Sequence, residues 1–268
     1  MTVSLYAGVA GRPAGVPLVL LHAFPVTSLM WPAQARSLAD VAYVITPDQR
    51  GFGRSPMYGA GEDRAAPPSL TQVADDLAAL LDRLSLESVV LGGVSMGGYV
   101  VMEMLRRHPE RIRAIALIDT KMEADSGEAR AGRLAMAETV LRQDSSWEVV
   151  EKVVPNLLGP TTLRERANVP YRVGFMAGSA APESVAWAQR AMAARPDSTE
   201  TLRGADVPAL VVVGDEDAIS PPPMAEAMAQ TLPQADLVVV RGAGHLSPIE
   251  APEAVSGALR AFLARLPG

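Results

Sequence analysis

Residues Gly93-Val94-Ser95-Met96-Gly97 set a serine between two glycines, each two positions away. A serine hydroxyl is a weak nucleophile until a base takes its proton and the backbone holds it clear of its neighbours. A sharp strand-to-helix turn does the second job, and glycines on either side remove side chains that would collide there. The flanks fit such a turn. Ser88 to Gly92 is short, apolar and β-branched, as a buried strand would be. Tyr99, Val100, Met102, Met104 and Leu105 recur at helical spacing until His108-Pro109 stops the run. The pattern predicts Ser95 as a nucleophile for attack on a carbonyl carbon.

The serine needs a base, and the base needs an orienting partner. The chain has three histidines, His22, His108 and His245. His108 sits at the end of the helix after Ser95 and reads as a surface residue beside a helix C-terminus. His22 falls in the loop after an early strand, near the site but structural. His245 lies in Arg241-Gly-Ala-Gly-His-Leu-Ser-Pro248, after the last strand, where open parallel sheets carry their sites. His245 is the expected general base, and activity should rise with pH as it deprotonates. In strand–turn–helix serine sites the acid lies between serine and histidine along the chain. Gly214-Asp215-Glu216-Asp217 offers carboxylates on one loop there, with Asp217 preferred, Asp215 next, and Asp119 an outside candidate at another strand end. The oxyanion donors would be backbone N–H groups of Met96 and of Phe24, in the loop after the early strand.

These residues require a framework of alternating strands and helices. Strand-like runs occur at Pro17 to Leu21, Val41 to Thr46, Ala114 to Ile118, Pro208 to Val213 and Asp236 to Val240. Helical stretches lie near residues 31–39, from a Ser69 N-cap to about 84, near 224–231 and over 253–266. Such alternation predicts an α/β fold with a mostly parallel central sheet covered by helices on both faces. From residue 120 to about 201 the pattern becomes helical, with expected breaks at Pro155, Gly159-Pro160, Pro170, Gly174, Gly178 and Pro182. The expected organisation is therefore a core of residues 1–119 and 202–268 with a helical insertion, 120–201, between them.

Composition narrows the function classes. The 268 residues carry a net charge of −6 and no long basic run, so nucleic-acid binding is unsupported. Cysteine is absent, which removes disulfides, thiol catalysis and cysteine-based metal sites. Neither a signal-peptide pattern nor a membrane-length apolar run is present, so a cytoplasmic protein without membrane association is expected. Scattered histidines make a catalytic metal unexpected, and residues 92–98 lack the Gly-Lys-Ser/Thr ending of a phosphate loop. The expected enzyme needs no cofactor.

Five motifs in order resemble those of the α/β-hydrolase family over nearly the whole chain. They are His22-Ala-Phe-Pro25, Asp48-Gln-Arg-Gly-Phe-Gly-Arg-Ser55, Gly93-Val-Ser-Met-Gly-Gly98, Gly214-Asp-Glu-Asp217 and Gly242-Ala-Gly-His245. The resemblance implies that the last position of the acid loop, Asp217, carries the acid, and that the insertion is a helical cap over the site. Within the family the chain looks like 3-oxoadipate enol-lactonases and related small carboxylesterases. Two departures stand out. Ala23 replaces the usual glycine of the oxyanion loop, and the segment before the first central strand is short enough to form only a reduced hairpin.

The expected function is hydrolysis of a small carboxylic ester or lactone through an acyl-enzyme. Carbon–carbon bond hydrolysis and cofactor-free perhydrolysis of the haloperoxidase type would use the same residues. A non-enzymatic ligand receptor on the same fold is a further alternative. Cap side chains that could face substrate include Met136, Trp147, Leu157, Phe175, Met176, Trp187 and Met192, with Trp147, Phe175 and Trp187 chosen as candidate contacts. Arg130 and Arg133, three apart on one helix face, either bind a substrate carboxylate or are solvated. The oligomeric state and the natural substrate are not readable from the residues.

Overall fold

The protein is described by a computed structural model covering residues 2–147 and 152–266. Seven strands form one sheet: β1 (Ala7–Ala10), β2 (Val16–Leu21), β3 (Ala42–Pro47), β4 (Val89–Val94), β5 (Ile112–Ile118), β6 (Ala209–Gly214) and β7 (Ala235–Val240). Their spatial order is β1-β3-β2-β4-β5-β6-β7. All neighbouring pairs are parallel except β1 with β3. The central strands β4 and β6 are buried at every residue, which is why they read as unbroken apolar runs rather than as alternation.

One expectation changes here. Short β1 does not fold back on β2 as a hairpin; it pairs antiparallel with β3, Ala7 opposite Pro47 and Ala10 opposite Val44. The sheet edge offered by β3 satisfies the backbone of β1, a long-range choice that the turn residues alone do not specify.

Two apolar clusters occupy the two faces of the sheet. One packs Val19, Leu91, Ile115 and Val211 against Leu77, Leu81, Val100 and Met104, which belong to helices Leu70–Arg83 and Met96–Arg107. The other packs Leu18, Leu20, Val90, Ala116 and Val212 against Leu38, Val255, Leu259 and Phe262, from helices Pro32–Leu38 and Pro252–Leu263. Helix Leu70–Arg83 starts where Ser69 and Gln72 cap each other reciprocally, satisfying two N–H groups that a helix start leaves unpaired.

Between β5 and β6 the described residues hold helices and no strand. Helices Gly127–Gln143 and Pro182–Ala193 pack side by side, with Asn168–Gly178 nearby in sequence. Pro160 and Pro182 each open a helix, where the missing N–H costs nothing. Pro170 does not break the chain either, because it falls in the first turn of Asn168–Gly178. This helical segment is bound to the sheet side at several points. The His245 N–H donates to the Leu157 carbonyl at 3.1 Å, the Gly159 N–H to Glu250 at 2.8 Å, and the Thr161 N–H to Glu216 at 2.8 Å. Tyr58 donates its phenol proton to Glu183 at 2.7 Å, and the buried Arg50 lies 5.8 Å from the Trp187 ring centroid.

Candidate active site

Ser95 stands at the turn between β4 and helix Met96–Arg107, with φ 52° and ψ −112°. Non-glycine residues seldom adopt positive φ, so the surroundings must hold this conformation in place. They do so by close packing. A Cβ at residue 93 would run into the Gly97 backbone, and one at residue 97 into the Leu21 carbonyl. The Ser95 N–H donates to the Ile118 carbonyl at 3.0 Å, and the Thr120 hydroxyl donates to the Ser95 carbonyl at 2.9 Å. The glycines flanking Ser95 are thus required by the approach of β2 and of the helix itself.

The chain of hydrogen bonds from Ser95 is continuous. Its Oγ lies 2.8 Å from His245 Nε2, and His245 Nδ1 lies 2.8 Å from Asp217 Oδ2. With Nδ1 protonated, the imidazole donates to the carboxylate and offers Nε2 as the acceptor for the serine proton. Asp217 is itself fastened: its Oδ1 accepts from the Ile219 and Ser220 N–H groups at 2.8 and 3.0 Å, and its Oδ2 from the Ser220 hydroxyl at 2.9 Å. Burial by itself would raise the Asp217 carboxyl pKa. The bond and charge of His245, with the Ser220 and Ile219 amides, outweigh it and hold the group below the ordinary carboxylate value.

The other sequence candidates separate by geometry. Asp215 Oδ1 accepts the Gly242 N–H at 2.7 Å near the surface, which is loop capping. Asp119 accepts from the Gly214 and Ser247 N–H groups and forms no hydrogen bond with a histidine among the described residues. His22 is fully buried, with Nδ1 2.9 Å from the Ala23 carbonyl and Nε2 accepting the Gln49 N–H at 2.9 Å. Desolvation lowers its pKa, and both ring nitrogens are occupied, Nδ1 within its own loop and Nε2 by the loop of Gln49. His108 bonds Asp75 at 2.9 Å at the far end of its helix. Ala23 is buried without a positive φ, so its side chain costs no backbone strain.

Above Ser95 and His245 lies a cavity of about 310 Å³. Phe24 contributes to its wall, with Tyr99, Leu157 and Ile219. Helices Gly127–Gln143 and Pro182–Ala193 supply Gly132, Arg133, Met136, Gln189 and Met192. Three of the apolar residues expected to face substrate, Met136, Leu157 and Met192, therefore face the cavity. The three chosen aromatics do not. Trp147 and Phe175 are exposed, at 60% and 66%, and Trp187 is buried against Arg50 on the core side. Phe175 falls opposite the face of its helix that buries Val169, Val173 and Met176, so helix packing turns it outward. Of the two arginines, Arg130 is exposed and Arg133 reaches the cavity, with its Nε 2.7 Å from Asp125 and its Nη1 3.2 Å from Gln189 Oε1.

Two further residues, Ser220 and Glu250, support the site without having been singled out by their residue type or motif. Ser220, three residues after Asp217, supports the acid. Glu250 accepts the Leu246 N–H at 3.0 Å and the Gly159 N–H at 2.8 Å, fixing the histidine loop against the helical segment. An Asp-x-x-Ser spacing hints at the first; the second depends on a partner 91 residues away.

A family model described as the α/β hydrolase fold matches residues 16–252. The chain belongs to the α/β-hydrolase family. A thermophilic esterase from Thermogutta terrifontis, solved with malate bound, is 41% identical and superposes with a TM-score of 0.92, covering 98% of this chain and 94% of that one. A 3-oxoadipate enol-lactonase of Acinetobacter baylyi is 26% identical over 258 residues, 96% of this chain and 91% of its own. A non-heme chloroperoxidase of Kitasatospora aureofaciens is 28% identical over 255 residues, 86% of this chain and 85% of its own. This α/β hydrolase is thus similar to esterases, lactonases and peroxidase-type members. No helix among its described residues is long and apolar enough to cross a membrane.

Proposed function

We propose that this α/β hydrolase cleaves small carboxylic esters or lactones with Ser95 as nucleophile, His245 as general base and Asp217 as orienting acid. The observation that carries the reading is the unbroken line Ser95 Oγ–His245 Nε2 and His245 Nδ1–Asp217, 2.8 Å at each step, at the foot of the cavity. The esterase and enol-lactonase relatives support the substrate class.

The steps follow from the groups. Ser95 Oγ attacks the carbonyl carbon while its proton passes to His245 Nε2. The oxyanion that forms is met by the Met96 N–H, which has no intrahelical acceptor at the first position of its helix, and by the Phe24 N–H. The leaving alkoxide takes the proton from His245, leaving an acyl group on Ser95. Water then gives a proton to His245 and attacks the acyl carbon; collapse releases the acid and returns the proton to Ser95. In a lactone both products are one molecule. Asp217 stays ionised throughout and stabilises the imidazolium. No step calls for a metal or cofactor. Arg133 in the cavity wall suits a substrate bearing a carboxylate away from the scissile bond.

The chloroperoxidase relative favours one further activity, in which peroxide replaces water at the acyl-enzyme and releases a peracid. The central test is Ser95→Ala against a panel of short esters and lactones. A fall of ~10⁴- to 10⁶-fold in kcat is expected. Wild-type turnover by the purified variant contradicts the assignment.

A further inference from the structure

Asp119 is a buried acid that the steps above do not use. It follows β5 directly with φ 44°, a left-handed conformation in a residue that is not glycine. Its own N–H donates to the Val212 carbonyl at 2.9 Å, which fixes it against β6. Its two carboxylate oxygens then reach in two directions. Oδ1 accepts the Gly214 N–H at 3.0 Å, and Oδ2 accepts the Ser247 N–H at 2.8 Å. Gly214 opens the turn that carries Asp217, whose N–H donates back to the Gly214 carbonyl at 3.2 Å. Ser247 lies two residues beyond His245. One side chain therefore joins the loop of the orienting acid to the loop of the base, although these partners lie 95 and 128 residues away in the chain.

The choice of an acid at this place is costly. Asp119 has no exposed surface, and the charged groups that act on it are Asp217 and His245, the first a like charge. Burial and a like charge both disfavour a carboxylate. An asparagine would fill the same space. Its carbonyl oxygen could accept one of the two N–H groups, but its NH₂ would face the other donor. Only a carboxyl group has an oxygen for each of the two donors.

We propose that Asp119 is a positioning residue for the hydrolysis described above: it clamps the Asp217 and His245 loops in register with Ser95. The inference rests on the proposed function of this site. The clamp acts on His245 and its carrier loops, so it governs turnover rather than substrate binding.

The test is Asp119→Asn, assayed on an ester the wild type hydrolyses, with active sites counted by titration. Expected are a kcat lowered ~10- to 100-fold, the scale of a small misplacement at a reacting centre, and a KM within about twofold of wild type. A variant that melts at lower temperature yet keeps wild-type kcat per active site overturns the proposal. If Asp119→Asn does not fold, Asp119→Glu takes its place. It keeps both oxygens but lengthens the arm, so kcat should fall; wild-type kcat in folded Asp119→Glu is equally contradictory. Ser95→Ala is run in parallel. Full activity there sinks the nucleophile assignment itself, whatever Asp119 does.

Discussion

At the scale of single residues, the site is a competition among carboxylates for one histidine. Asp215, Asp217 and Asp119 were all admissible from sequence, since each ends or follows a strand near Ser95. Distance separates them, with Asp217 at 2.8 Å from His245 Nδ1. Asp217→Asn should therefore lower kcat by ~10⁴-fold by upsetting the imidazole tautomer. Asp215→Asn, which loses only a loop cap, should stay near wild-type activity, and steady-state kinetics on both variants checks the pair. Asp119 makes a different, thermodynamic prediction. Burial, then the charge of Asp217, pushes its carboxyl up from 3.8 to about 7. Between those values the folded protein keeps a proton that the unfolded chain has lost. The stability this group contributes is thus full below about pH 4 and is lost as pH rises through about 7. Asp119→Asn removes that slope. Its melting temperature relative to wild type should improve steadily from about pH 4 to 7.5, and a difference independent of pH contradicts the raised value.

At the scale of elements, the cavity depends on the two helices that roof it. Helix Gly127–Gln143 places Gly132 at the cavity, and a Cβ there would meet nothing within 4 Å. A glycine inside a helix is less stable than alanine by about 0.5–1 kcal/mol. Gly132→Ala should accordingly raise the melting temperature by a few degrees at most; a lower melting temperature would mean the residue's freedom is needed. Elements differed in how far they could be read. The buried parallel strands were plain because their apolar runs are short, β-branched and bounded by turns. The outward turn of Phe175 and Trp147 was not, because aromatic residues in a helical stretch have the same composition whether they face substrate, core or water. The pairing of β1 was missed for a related reason: the partner edge is supplied by β3, beyond β2 in the chain.

At the scale of the whole molecule, the order of motifs made the fold legible, since five short segments had to meet at one end of the sheet. What the sequence left open are the ties between distant segments: Asp119 to Ser247, Gly159 to Glu250, Tyr58 to Glu183. Each joins a polar residue to a partner that only the folded chain brings near, so local spacing carries no trace of it. The last two also bind the helical segment to the rest of the molecule. The central claim is that this whole arrangement activates one serine. The most direct measurement is reaction of the native protein with a fluorophosphonate, followed by peptide mass spectrometry to find the modified residue. A single adduct on Ser95, formed in step with loss of ester or lactone turnover and abolished in Ser95→Ala and His245→Ala, is the result expected. Folded protein that turns over esters yet forms no adduct on Ser95, or carries it elsewhere, would contradict the account.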